Sequence, residues 1–271
     1  MIRRRAIRLL LGAGSALLLV LLAAIPSAVR AENRDALWQI IHGQCVPDET
    51  AHGRPAPCAT VDLSGGEAHG TAVLKDRVGA TQYLLIPTAR ITGIESPLVL
   101  LPDAANYFAR AWEAGALVDD RLGHDLPRRD LSLAINSEAG RTQDQLHIHV
   151  DCVRADIRAT LDRYEASIRG RWHDLPVRLR GHRYRAMRLD GDTLGDQNPF
   201  DLLARSLSDP AKQMGDHTLV LVGDEWRGEP GFILLDATSG PFSVALSPHL
   251  KLGAGSGEEL QDHSCRIGRP G

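Results

Sequence analysis

The stretch Gly140-Arg141-Thr142-Gln143-Asp144-Gln145-Leu146-His147-Ile148-His149-Val150 alternates polar and apolar residues from Gln145 onward. That is the period of a β-strand, whose successive side chains point to opposite faces. Gln145, His147 and His149 then share one face, while Leu146, Ile148 and Val150 enter a core on the other. Two imidazoles and an amide in a row on a rigid strand can grip an anionic phosphate and orient one ring as a nucleophile. Histidine suits the task because its ordinary pKa of about 6.5 leaves a neutral, nucleophilic ring near pH 7. Two other readings fit the pair taken alone: a His-x-His metal site, or two histidines on a solvent face.

The elements that would position this strand can be read on both sides of it. Asn33 to Ile41 reads as a short helix leading into a cysteine loop. Thr71 to Leu74 and Tyr83 to Ile86 are apolar runs flanking a turn around Arg77 to Ala80, the pattern of a hairpin. Asp103, after Pro102, is placed to cap a helix running to Leu122, with Gly123 as its stop. Leu131 to Ile135 and Gln145 to Cys152 read as two further strands, followed by a helix from Asp156 to Arg169 that carries Ile157, Leu161, Tyr164 and Ile168 on one face.

The second half reads as strand (His182 to Leu189), helix (Pro199 to Leu207) and two strands (His217 to Val222, Phe232 to Asp236). This echoes the order from Tyr83 to Cys152, as a degenerate second copy packed on the first would. Leu175 to Arg180, with Pro176, reads as a linker or loop. The expected class is α+β, an antiparallel sheet with flanking helices.

The N-terminus is a separate segment. Arg3, Arg4 and Arg5 precede an apolar run from Ile7 to Ala28 interrupted by a single charge, Arg8. About 20 such residues at roughly 1.5 Å each cover a hydrocarbon core of about 30 Å, and the arginines would hold that end in the cytoplasm. A transmembrane anchor over residues 1–31 and a cleaved signal ending near Val29 and Ala31 both fit. Either exports residues 32–271, expected as one domain.

Four cysteines lie beyond that run, an even number that in an oxidising compartment suggests two disulfides. Cys45 with Cys58 closes a short proline-containing loop, and Cys152 with Cys265 would tie the C-terminal tail to the histidine strand. Zinc is the competing use, but no CxxC spacing is present. A net charge of -3 and a pI near 6.4 give no electrostatic case for nucleic acid. The local run Arg178, Arg180, Arg183, Arg185 and Arg188 could bind phosphate or simply solvate a strand face.

The histidine stretch resembles the histidine-triad superfamily of nucleotide hydrolases and transferases, whose hallmark is His-φ-His-φ-His-φ (φ apolar) after a loop with a glycine and Thr or Ser. Gly140, Thr142, His147, His149 and Val150 fit that pattern, and Leu131 to Asn136 and Tyr83 to Arg90 resemble its preceding strands. Within it the chain is most similar to the bacterial CDP-diacylglycerol pyrophosphatases, through Gln82 to Pro87, Ile94 to Pro97, Leu131 to Ser137, Gly140 to Cys152 and Gln261-Asp262-His263 before Cys265.

The resemblance implies hydrolysis of the pyrophosphate of CDP-diacylglycerol to CMP and phosphatidate, with His147 as nucleophile and no metal or other cofactor. His149 and Gln145 would hold phosphate oxygens, and Asn136, Thr142, Arg141 and Arg90 would bind substrate. It also implies a single-pass protein of the inner membrane with its catalytic domain in the periplasm. The departure is Gln145 where the superfamily has its first histidine. Phosphatidate, a phosphate monoester, leaves readily as an anion, so an amide there is compatible with the reaction. His124, His182 and His263 could each approach the site, although a surface or satisfied core role is the better reading of each.

Overall fold

The computed structural model describes residues 33–239, 244–247, 250–252 and 256–268. The expected membrane segment before Asn33 and part of the glycine-rich Gly253 to Gly257 lie outside them. No helix among the described residues is long and apolar enough to cross a membrane.

In chain order the helices and strands are α1 (Ala36–Ile40), α2 (Val46–His52), β1 (Thr60–Asp62), β2 (Thr71–Lys75), β3 (Tyr83–Pro87), α3 (Tyr107–Glu113), α4 (Ala116–Leu122), β4 (Leu131–Ile135), β5 (Ile148–Cys152), α5 (Ala155–Tyr164), β6 (His173–Leu179), β7 (His182–Asp190), α6 (Pro199–Ala204), α7 (Pro210–Gln213), β8 (His217–Trp226), β9 (Glu229–Thr238), β10 (Val244–Ser247) and β11 (Leu250–Leu252). Nine strands form one sheet in the order β1-β2-β3-β5-β4-β8-β9-β7-β6, and every pairing in it is antiparallel. The chain is therefore α+β, as its patterning implies. The order β2-β3-β5-β4 in the first half is matched by β6-β7-β9-β8 in the second, and the halves join through β4 and β8.

Helices cover both faces of the sheet, because each face is apolar and must be buried. On one, Phe108, Ala111 and Val118 of α3 and α4 and Phe200 and Leu203 of α6 pack on Leu133, Ile148, Val150, Leu219 and Leu221. On the other, two separate clusters form. Ile41, Cys45 and Val46 cover Ala72, Leu84 and Ile86, while Ile157 and Leu161 of α5 cover Ala134, Val220, Val222 and Ile233. His149 pairs across the ladder with Leu84 on one side and Ala134 on the other. Directly opposite residues share a face, so the histidine emerges in the seam between these two clusters.

Several boundaries differ from the sequence expectation, each for a local reason. The first helix continues past Ile41 through one π-turn, Ile41–Cys45, into α2. The wide turn accommodates Pro47, which has no N–H to donate. The helix expected from Asp103 starts instead after Asn106, whose Oδ1 accepts from Ala109 N. It also breaks at Gly115, where a Cβ would lie 2.4 Å from Leu131 Cδ2. Gly123 does close α4, in a left-handed conformation. The helix after β5 stops at Tyr164, and a 3₁₀ turn, Glu165–Ser167, follows. The expected linker from Leu175 is part of edge strand β6, whose register shifts between Asp174 and Arg178, around Pro176. An edge strand with an irregular register tolerates a proline.

Candidate active site

The strand expected from Gln145 begins only at Ile148. Residues 145 and 146 are held by the end of β3 and the chain that follows it rather than by a ladder. Gln145 Nε2 donates to Pro87 O at 2.9 Å and to Ala89 O at 2.8 Å, and Leu146 N donates to Ile91 O. Both amide hydrogens of Gln145 are thus directed at carbonyls, and its side chain is fully buried. What Gln145 presents to its neighbour is its backbone: His147 Nδ1 lies 2.7 Å from Gln145 O. A carbonyl only accepts, so the His147 proton sits on Nδ1 and the lone pair on Nε2.

His149 stands beside it, ring centroids 5.0 Å apart and close to edge-on. Its Nδ1 lies 2.6 Å from Gln82 Nε2 and its Nε2 lies 3.2 Å from Glu258 Oε2. Asp151, next along that face, is fully buried and accepts from Thr81 Oγ1 while facing His263 Nδ1 at 2.9 Å. Burial alone would push the His263 pKa down, but the Asp151 hydrogen bond and charge raise it above the ordinary histidine value.

His147, Asn136 and Arg141 line one small hollow together with Gly93, Ile135 and Leu146. Arg141 is buried and bonded to Glu95 Oε2 at 2.7 Å and to Asp144 Oδ1. The hydrogen bond from Arg34 holds the Asp144 carboxyl below the usual range. A Cβ at Gly93 would come within 2.6 Å of Glu95 Oε2 and 2.7 Å of Arg141 Nη1, so a side chain there would have to push this ion pair aside.

Two other candidates stand apart. Thr142 is half-buried in the preceding loop and is not part of the hollow's lining. Arg90 pairs with Asp35 and lies over the Trp38 ring. The remaining histidines have other neighbours, His124 its own loop and His182 Glu259. The arginine run on β6 and β7 is partly consumed internally, Arg185 on Asp236 and Arg188 on Asp224. Among the described residues no three His, Cys, Asp or Glu side chains converge as a metal-binding group. The cysteines pair as Cys45–Cys58 and Cys152–Cys265.

An imidazole at the entry to β5 with a forced tautomer, beside a second imidazole and a buried guanidinium, is suited to attack on phosphorus. The comparison with known proteins names the substrate class. Residues 32–269 match the family described as CDP-diacylglycerol pyrophosphatase. The chain belongs to that family. A CDP-diacylglycerol pyrophosphatase of Yersinia pestis is 40% identical over 251 residues, covering 93% of this chain and 92% of that protein.

Three residues of this family member's site escaped sequence reasoning. Gln82 and Glu95 lie inside stretches that resemble the family, yet nothing in their spacing marks them as partners of His149 and Arg141. Glu258 gives no local signal at all, because the 3₁₀ turn Gly257–Leu260 is brought to the site only by the fold.

The Gln145 geometry also yields a stability prediction. Gln145→His replaces an amide that donates two hydrogen bonds by a neutral imidazole that donates one. One buried carbonyl, of Pro87 or Ala89, then loses its donor, at a cost of about 1–3 kcal/mol. Urea unfolding at pH 8 is expected to show that loss. Unchanged stability would mean that the two carbonyls do not depend on this amide.

Proposed function

We propose that this chain, a hydrolase of the pyrophosphate bond of CDP-diacylglycerol, works through a cytidylyl-histidine intermediate on His147. His147 Nε2 attacks the phosphorus that bears cytidine, the bond to the bridging oxygen breaks, and phosphatidate leaves as an anion. The positive charge that develops on the ring is stabilised by the Nδ1–H bond to Gln145 O. Asn136 and Arg141 bound the hollow in which the phosphate would sit, and Arg141 supplies positive charge there. His149 flanks the phosphate, and Thr142 and Arg90 would contact more distant parts of the substrate.

The observation that carries this reading is the 2.7 Å contact between His147 Nδ1 and Gln145 O, which sets the tautomer a nucleophile needs. The test is to quench turnover in base, where a phosphorus–nitrogen bond survives, and seek one cytidylyl group on the peptide containing His147. Absence of that adduct throughout turnover would sink the reading.

We also place the chain in the histidine-triad superfamily, with the second half a degenerate copy of the first. The repeated strand order supports this, and β9, the counterpart of β5, carries no histidine, so only one half would be catalytic. The N-terminal segment is read as a single-pass inner-membrane anchor with the domain in the periplasm. Arg3 to Arg5 before the apolar run, two disulfides and a lipid substrate support that reading. Fractionation tests it: the chain should pellet with membranes and be digested by protease added to spheroplasts. Protection from that protease would place the domain on the other side.

A further inference from the structure

We infer that Gln82, held by Asp76, is a positioning residue for the reaction: it fixes the tautomer of His149 so that this ring is a hydrogen-bond donor through Nε2. The inference rests on the reading above in which His149 flanks the phosphate bound at His147.

Gln82 stands one step before β3. Leu84 of that strand pairs directly with His149, and Gln82, two residues earlier, is the diagonal neighbour on the same face. The hairpin continues past its ladder there, with Asp76 N donating to Gln82 O at 3.1 Å. Both Gln82 and His149 are buried, so a mismatched pair between them would not be repaired by water.

A buried amide can meet a neutral imidazole with either end. Its oxygen would accept from Nδ1–H, whereas its nitrogen would donate to a bare Nδ1. Asp76 decides between the two. The Gln82 atom that lies 2.6 Å from His149 Nδ1 also lies 3.2 Å from Asp76 Oδ2. An oxygen at that point would set two acceptors against each other, so the atom is the nitrogen, with one hydrogen for the carboxylate and one for the ring. Asp76 is fixed in turn, its Oδ1 accepting from Val78 N at 2.9 Å. His149 Nδ1 is therefore an acceptor, and the proton of the neutral ring is on Nε2. The Glu258 carboxylate, 3.2 Å from Nε2, favours a proton there by charge.

The two imidazoles of the site are thus set in opposite senses. The Gln145 carbonyl keeps the His147 proton on Nδ1 and leaves its Nε2 bare for attack. Gln82 keeps His149 Nδ1 bare and leaves its Nε2 as a donor. With ring centroids 5.0 Å apart, one ring is arranged to give an electron pair and the other a hydrogen bond. A lone pair on His149 Nε2 would repel the anionic oxygens that a donor stabilises.

The test has a spectroscopic arm and a kinetic arm, both on the full chain in detergent. With nitrogen-15-labelled histidine at pH 8, two-bond proton–nitrogen spectra should show His149 protonated at Nε2 and bare at Nδ1, its signals assigned by their loss in His149→Phe. In Gln82→Glu the donor becomes an acceptor of the same shape, and Nδ1 should acquire a proton. Nδ1 protonated in the parent, or left bare in that variant, overturns the inference. In the kinetic arm, Gln82→Met should lower kcat for CDP-diacylglycerol by about 10-fold with KM little changed. In a His149→Phe background the same substitution should change kcat by less than about twofold, because it acts through that ring. Equal losses in both backgrounds would mark a structural role, and no loss in the first would leave the amide without a part in turnover; either overturns the inference. A His149→Phe chain as active as the parent overturns instead the placement of His149 beneath it.

Discussion

His147→Ala is expected to release CMP from CDP-diacylglycerol more slowly than the parent chain by on the order of 10⁴-fold or more, and to form no cytidylyl adduct. In the proposed mechanism, removing the nucleophile removes both half-reactions, so what survives is direct attack by water assisted by the remaining positioning groups. The variant should still fold. His147 is nearly buried but lies at the edge of the hollow, and the Gln145 carbonyl loses one hydrogen bond, worth about 1 kcal/mol. The loss should therefore appear in turnover with little change in the unfolding midpoint. The parent reaction is expected to proceed in EDTA, because attack by His147 in the proposed mechanism passes only through side chains. Equal CMP release by parent and variant would remove His147 from the chemistry.

The parts of this site legible in the sequence were those whose signal is local. Alternation around His147 and His149 marks a strand face, and hairpin and glycine-stop signals mark β2, β3 and the end of α4. The role of Gln145 was not legible. Polar alternation puts its side chain beside the histidines, but the carbonyls of Pro87 and Ala89 capture the amide, and only the fold brings them within reach. The same limit hid Glu258, 109 positions from His149, and Gln82 just before the neighbouring strand β3. Helix starts were misread for a different reason. Asp103 and Asn106 are both capable caps, and the choice is made by the turn in which Ala104 N bonds Leu101 O before the helix begins. Leu175 to Arg180 read as linker because proline and arginines mask an edge strand, whose pairing comes from β7 alone.

The second large effect concerns the bond that brings the tail to the site. Cys152 and Cys265 are 113 positions apart, and Cys45 and Cys58 only 13. In the chain-entropy account, a loop of about 100 residues contributes roughly 4.7 kcal/mol and one of about 15 residues roughly 3 kcal/mol. The double change Cys152→Ser with Cys265→Ser is thus expected to cost about 3–5 kcal/mol, a large share of the roughly 5–15 kcal/mol that holds a domain folded. Cys45→Ser with Cys58→Ser should cost less.

The two pairs also differ in what they secure. The tail reaches β5 through Asp262 N on Cys152 O, Gln261 Nε2 on His149 O and His263 on Asp151, and it carries Glu258 to His149. Without the long-loop disulfide only non-covalent contacts hold it, these together with Ala80 N on His263 O, Arg154 N on Leu260 O and the buried Leu260, and local opening would strip the tail from the His149 strand before the domain unfolds. Urea titrations followed by both tryptophan fluorescence and CMP release should therefore separate in the Cys152/Cys265 variant, activity failing at lower urea than the core. They should coincide in the Cys45/Cys58 variant. Coincident transitions in both would show that the tail stays docked without its disulfide, and the bond would then act on the unfolded chain alone.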